Sequence, residues 1–140
     1  MSPYSSRRLP WAGPAATLAA ILVDVLYYFA SKAAGESYLI PFNTSGSQPV
    51  PLPILNVIMA VLVSGLIASL FFGALLRFSR KPATVFLSVA ITALILSFGG
   101  PFNLPDAAMQ TKLLLSGMHL LAAAIITGGI LFLSHEKTIL

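Results

Sequence analysis

The sequence contains no cysteine and few charged residues. Without cysteine it has no disulfide bonds, thiolate zinc sites, iron–sulfur clusters or cysteine nucleophile. Only 9% of its 140 residues are charged, whereas soluble globular proteins carry about 25%. Hydrophobic residues make up 57% of the chain. This composition excludes a soluble domain and predicts an integral membrane protein.

The small basic excess does not indicate a nucleic-acid partner. Eight Lys and Arg against four Asp and Glu give a formal net charge of +4. A nucleic-acid interface needs Lys and Arg concentrated on one face, but these residues are scattered along the chain. We therefore expect the lipid bilayer, and no nucleic acid, to surround this protein.

Four long apolar stretches predict four transmembrane helices. A helix needs about 20 apolar residues to cross roughly 30 Å of hydrocarbon. The apolar stretches cover residues 12–30, 54–76, 82–98 and 113–133. They lack the alternation of polar and apolar residues that membrane β-barrels show. The sequence predicts one all-α domain over residues 1–140, a polytopic bundle with outer loops at 31–52 and 99–111.

The positions of Lys and Arg predict the orientation of the bundle. Cytoplasmic loops of membrane proteins carry an excess of these residues. Six of the eight fall on the side of the two termini, namely Arg7, Arg8, Arg77, Arg80, Lys81 and Lys137. Only Lys32 and Lys112 fall on the opposite side. We therefore expect a protein of the cytoplasmic (inner) membrane with both termini in the cytoplasm.

Small residues recur every four positions along the predicted helices. Helices in lipid associate mainly where small residues let their backbones approach closely. On the second helix two adjacent ridges form one broad face, made of Ala60, Ser64, Gly65, Ala68, Ser69 and Gly73. We expect this face to pack within the bundle and to contact a neighbouring subunit.

Asp24 and His119 are the acidic residue and the histidine inside the predicted helices. An acidic residue near the middle of a membrane helix costs about 2.5–3.5 kcal/mol on insertion scales, so it normally faces the bundle interior. In an antiparallel arrangement of the first and fourth helices, Asp24 and His119 fall at similar depth. They form a candidate polar core pair joined by a hydrogen bond. Alternatively, each side chain bonds separately to backbone carbonyls or hydroxyls.

No motif for catalysis accompanies this pair. The chain lacks a phosphate-binding loop, a zinc helix and a nucleophile elbow. Two His and four acidic residues do not build a closed metal site unless water or a ligand completes it. We therefore expect no enzymatic activity, no catalytic residue and no metal, while the sequence leaves any cofactor open.

Several short stretches carry a resemblance that covers most of the chain. They are Arg7–Arg8, Asp24–Val25–Leu26–Tyr27, Tyr38–Leu39–Ile40–Pro41, Arg77–Phe78–Ser79–Arg80, Leu96–Ser97–Phe98, Thr111–Lys112–Leu113 and Met118–His119–Leu120. In this order of features the chain resembles a family of small bacterial four-helix integral membrane proteins of unknown function. The resemblance implies the same fold and brings no activity with it.

Two functions remain open at this point. The first is a non-enzymatic structural or accessory subunit, or a homo-oligomer, assembled through its small helix faces. The alternative is a carrier, a channel-like protein or a receptor for a lipophilic ligand, with its polar core site at Asp24 and His119.

Overall fold

The computed structural model of the chain describes residues 4–40 and 49–135. In chain order, these residues form α1 (Leu9–Ala33), β1 (Leu39–Ile40), β2 (Val50–Pro51), α2 (Ile54–Phe78), α3 (Pro82–Ser97), α4 (Gly99–Phe102) and α5 (Met109–Ser134). By length and composition, α1, α2, α5 and the combined α3–α4 segment are each able to cross a membrane. The four apolar helices that the sequence predicts are therefore present.

The helices differ from the predicted stretches mainly at their ends. The flanking residues continue the helical backbone of α1 and α5 beyond 12–30 and 113–133 in both directions. The 16 residues of α3 extend only about 24 Å at 1.5 Å per residue. With α4 the segment has 21 residues and reaches about 31 Å, the thickness of the hydrocarbon core. The predicted outer loop at 99–111 therefore begins with helix.

The other predicted outer loop, 31–52, begins with the last residues of α1 and contains the two short strands β1 and β2. Leu39 pairs with Pro51, and Ile40 with Val50, in antiparallel register. Residues 41–48 of this loop lie outside the described residues, as does Lys137.

Helix α1 is the centre of the bundle, packed between α2 and α5. Ala12, Ala16 and Ala20 are buried at 0–2% exposure. A Cβ atom added to Gly129 of α5 would lie 2.7 Å from the Ala16 Cβ. On the other side, a Cβ on Gly65 of α2 would overlap the Thr17 side chain. The absence of bulky side chains thus lets α1 approach both neighbours closely.

Helix α3 lies on the side of α2 and α5 that faces away from most of α1, and it touches these two helices sparsely. Near its start it is held by Phe86, whose ring centroid lies 4.8 Å from that of Phe72 and 6.2 Å from that of Phe71. After α3, the short helix α4 contacts α5, and its Pro101 is buried. Between these two anchors α3 leaves a space beside α2 and α5.

The two ends of the described chain meet at one end of the bundle. The Ser5 amide donates to the Ser134 carbonyl at 2.9 Å, and Arg8 Nη1 donates to the His135 carbonyl at 3.1 Å. The Tyr4 ring lies edge-on to the His135 ring at 5.3 Å. The N-terminal segment and the end of α5 therefore lie on the same side of the protein.

At the opposite end, a group of residues that we term the tyrosine cap closes the bundle. Tyr38 is fully buried and stacks on Tyr28 with ring centroids 5.0 Å apart. Its hydroxyl is hydrogen-bonded to Ser31 Oγ. Glu36 Oε1 accepts hydrogen bonds from the Tyr38 amide at 2.9 Å and from Thr111 Oγ1 at 2.8 Å. The segment after α1 is thereby tied to the start of α5.

Candidate ligand cavity

The space beside α3 is a cavity of about 520 Å³ between α2, α3 and α5. Small residues on each of the three helices line it, among them Ala60, Ala93 and Ala123. Protein interiors are otherwise close-packed. The space exists here because the side chains at these positions are small, and larger ones would fill much of its volume. The volume falls within the range of about 300–1,000 Å³ typical of small-molecule sites. The walls are mostly apolar, so the space suits a lipophilic molecule.

Asp24 reaches this cavity from α1. It is 1% exposed, and its Oδ1 atom has no hydrogen-bond partner among residues 4–40 and 49–135. The residue lies about 14 Å from the end of α1 at Ala33, at 1.5 Å per residue. A buried polar atom without a partner loses hydration without compensation, which is costly for a carboxyl group. Asp24 is thus the group in this cavity that most needs a partner.

His119 lines the same cavity from α5. Its Nδ1 atom is 2.8 Å from the Leu115 carbonyl of its own helix. The structure therefore brings Asp24 and His119 to one cavity but forms no hydrogen bond between them. The alternative interpretation is that each side chain bonds separately to backbone carbonyls or hydroxyls. His119 does bond to a backbone carbonyl, whereas Asp24 Oδ1 has no partner within the described residues.

The charges around the cavity are of one sign. Asp24 is its acidic residue, and no Lys or Arg is among the described residues that line it. Lys32 and Lys112 contact residues that do not line the cavity: Lys32 Nζ lies 5.5 Å from the centroid of the Tyr28 ring, and Lys112 Nζ is 3.3 Å from the Phe102 carbonyl. Within the described residues, the cavity therefore presents an acidic group without a Lys or Arg to pair with it.

The predicted packing face of α2 divides into two surfaces. Gly65, Ser69 and Gly73 face α1, where added Cβ atoms on Gly65 and Gly73 would contact Thr17 and Leu9, and a Cβ on Gly13 of α1 would overlap Ser69. Ala60, Ser64 and Ala68 line the cavity instead. One ridge thus packs within this chain and the other lines the cavity, while contact of this face with a neighbouring subunit stays a prediction.

Sequence reasoning did not predict the gap between α2, α3 and α5 or the tyrosine cap. The wall of α3 includes Ala90 and Ala93, and that of α5 includes Ala122 and Ala123. These small residues on α3 and α5 are the sequence signal for the cavity walls. Such residues are equally typical of helices that pack closely, so they do not predict a space between the helices. The cap residues Glu36 and Thr111 are 75 positions apart, and no local pattern connects them.

Among the described residues there is no group of three or more His, Asp or Glu side chains suited to hold a metal ion. Comparison with curated proteins and with solved structures found no match. A family model described as a family of unknown function (DUF6069) matches residues 4–131. Because this match covers nearly the whole chain, the protein belongs to the family of unknown function DUF6069.

Proposed function

We propose that this protein is a non-enzymatic integral membrane protein that binds a lipophilic ligand in the cavity between α2, α3 and α5. The observation that carries the proposal is the unpartnered Oδ1 of Asp24 at an apolar cavity of about 520 Å³. Ligand sites are typically apolar spaces with a few polar groups that orient the ligand. Asp24 and His119 supply such groups here.

Filling the cavity tests this proposal. Ala123 lines the cavity, whereas its neighbour Ala124 is exposed and does not. In lipid nanodiscs, we expect Ala123→Phe to weaken binding of the neutral lipophilic dye Nile red at least about tenfold, and Ala124→Phe to change it less than about twofold. Equal binding by both variants and the wild-type protein would place the dye on the general lipid-facing surface and contradict the proposal.

We further propose that the protein lies in a bacterial cytoplasmic membrane with both termini in the cytoplasm. The Lys and Arg distribution supports this orientation. Because the chain has no cysteine, single cysteines introduced at the exposed Ser6 and Ser37 report their sides directly. In intact cells a membrane-impermeant maleimide is expected to label the cysteine at position 37 and to spare the one at position 6. The reverse labelling pattern would contradict this orientation and support the opposite one.

A second candidate function is assembly with another membrane subunit, or with a second copy, through α3. The supporting observation is an exposed ridge of Thr84, Ser88 and Thr92. The Ser88 hydroxyl donates to the Thr84 carbonyl at 3.0 Å, and the Thr92 hydroxyl to the Ser88 carbonyl at 2.9 Å. With these hydroxyls bonded within α3, the ridge offers close backbone approach to a neighbouring helix.

Mass measurement of the protein purified in mild detergent tests this second function. An oligomer or a stable complex that Ser88→Phe dissociates would support it. A strictly monomeric protein without a co-purifying subunit would contradict it.

A further inference from the structure

Two polar side chains that line the cavity, His119 and Ser97, can only accept a further hydrogen bond. The Leu115 carbonyl can only accept, so His119 Nδ1, 2.8 Å away, carries the proton in this contact. In the neutral ring, Nε2 is then an acceptor. Ser97 at the α3 wall already uses its hydroxyl proton on the Leu94 carbonyl at 2.7 Å. The Ser97 hydroxyl oxygen can then still accept a hydrogen bond but has no proton left to donate.

Asp24 adds the strongest of these acceptors. Its Oδ1 has no partner within the described residues. When a cationic ligand stabilises the ionised form, the carboxylate accepts hydrogen bonds through both oxygens and donates none. Asn56, Ser64 and Thr127 also line the cavity, but their side chains can either donate or accept. They therefore do not determine which kind of ligand binds, whereas the acceptors favour a hydrogen-bond donor.

Charge narrows the ligand class further. Buried charges in proteins are normally paired, because an unpaired ion in a medium of low dielectric constant loses its hydration without compensation. The lining contains Asp24 and, within the described residues, no Lys or Arg. A carboxylate or phosphate on the ligand would be repelled by an ionised Asp24 and would find no Lys or Arg partner in the described lining. An alcohol could donate a hydrogen bond but would leave the charge unpaired.

We propose that the ligand is a lipophilic amine, whose ammonium group pairs with Asp24 and whose apolar body lies between α2, α3 and α5. This inference rests on the proposed function, since it identifies the ligand class of the same cavity. Two sources share this chemistry: the ammonium headgroup of an aminophospholipid and a separate alkyl or aryl amine. A phospholipid would also bring a phosphate, for which the described lining has no Lys or Arg.

Displacement of Nile red from the protein in phosphatidylcholine nanodiscs tests the inference. The competitors are dodecylamine, dodecanol and dodecanoic acid, which share one alkyl chain and differ in their polar group. At neutral pH we expect dodecylamine to displace the dye at a concentration at least about tenfold lower than dodecanol, with dodecanoic acid the weakest. Equal displacement by all three, or a preference for the acid, would overturn the inference.

Two variants connect the preference to Asp24. Asp24→Asn keeps the size of the side chain and removes its charge, so the advantage of dodecylamine over dodecanol, each measured relative to the variant's own dye affinity, is expected to fall to less than about twofold. Asp24→Glu keeps the charge and is expected to retain the preference. If Asp24→Asn binds the dye but still prefers the amine, the inference is wrong. If Asp24→Asn does not fold or no longer binds the dye, the competitor ranking on the wild-type protein and on Asp24→Glu decides.

The same assay separates the two proposals and the two ligand sources. Dye binding with no preference for the amine contradicts the ligand class and leaves the cavity function standing. No specific dye binding to the wild-type protein contradicts both. Adding phosphatidylethanolamine to the nanodiscs identifies the source: competition with the dye supports an aminophospholipid, and its absence, with dodecylamine still active, supports a separate lipophilic amine.

Discussion

The close approach of α1 and α5 at Gly129 makes this glycine sensitive to a single added methyl group. Gly128 precedes it on α5, and a Cβ atom there would meet nothing within 4 Å. Gly129→Ala and Gly128→Ala therefore add the same group to one helix in two different surroundings. We expect only Gly129→Ala to disturb the packing.

The structure gives the size of the effect. A Cβ on Gly129 would lie 2.7 Å from the Ala16 Cβ and 3.3 Å from the Ala16 Cα, whereas carbon atoms pack favourably at about 3.5–4.0 Å. The two helices must therefore separate by on the order of 1 Å, and overpacking of this kind costs about 1–3 kcal/mol. Replacing Gly by Ala in a helix gains about 0.8–1.0 kcal/mol, but both variants share this gain. Gly129→Ala should thus be about 1–3 kcal/mol less stable than Gly128→Ala.

Unfolding by sodium dodecyl sulfate from a mild detergent measures this difference, with the fluorescence of the single tryptophan, Trp11, as the signal. A second change supplies the control: Ala16→Gly in the Gly129→Ala background removes the opposing methyl group and should restore stability toward that of Gly128→Ala. Equal stability of the two single variants would refute the packing of α1 against α5 that is described above.

Other contacts of α1 and of the tyrosine cap give further predictions. Gly65→Ala introduces a Cβ that overlaps Thr17, so it should destabilise the fold by about 1–3 kcal/mol, and Thr17→Ala should recover most of the loss in the same denaturation assay. Thr111→Val removes the hydrogen bond to Glu36 Oε1 and should cost about 1.5–3 kcal/mol, as for other hydrogen bonds to charged groups. Burial raises the pKa of the Tyr38 hydroxyl above its usual value of 10.0. The unfolded chain therefore loses this proton at lower pH than the folded protein, and the stability that depends on it, complete below about pH 10, falls as the pH rises further. Tyr38→Phe should remove this part of the alkaline fall, as measured by denaturation across the pH range.

Each of these predictions has a result that contradicts it. A Gly65→Ala protein as stable as the wild type would mean that α2 does not approach α1 at Thr17. Unchanged stability of Thr111→Val would show that the tie between the cap and α5 contributes nothing. The same dependence of stability on alkaline pH in the wild type and in Tyr38→Phe would show that the Tyr38 hydroxyl is not held in its neutral form by the fold.

The sequence predicts the long helices well because their determinants are local. A membrane span requires a long apolar run, and Pro53 and Pro82 stand where α2 and α3 begin. The short α3 is the instructive exception, because Gly99, Gly100 and Pro101 look like a helix end and yet form α4. Proline and glycine are compatible with the first turn of a new helix, so composition alone does not mark that boundary.

The site was less predictable because it depends on how the helices are rotated and separated. Equal depth placed Asp24 and His119 near one another, but depth does not determine the direction of a side chain around its helix. Likewise, Ala60, Ser64 and Ala68 form a ridge suited to packing, and nothing in their spacing shows that α3 stands away from them. The cavity is a consequence of the distance between helices, which Phe86 and the α4 segment influence from positions outside the ridge.

Photolabelling with an alkyl amine that carries a diazirine at the end of its chain tests the central claim most directly, since it reports where the ligand lies. In nanodiscs, labelled positions identified by mass spectrometry are expected on the cavity walls around Ala60, Ala93 and Ala123, and Ala123→Phe should abolish this labelling. Labelling confined to lipid-facing residues such as Leu18 and Leu22 of α1, which are 65% and 61% exposed, and unchanged by Ala123→Phe, would contradict a binding site in the cavity.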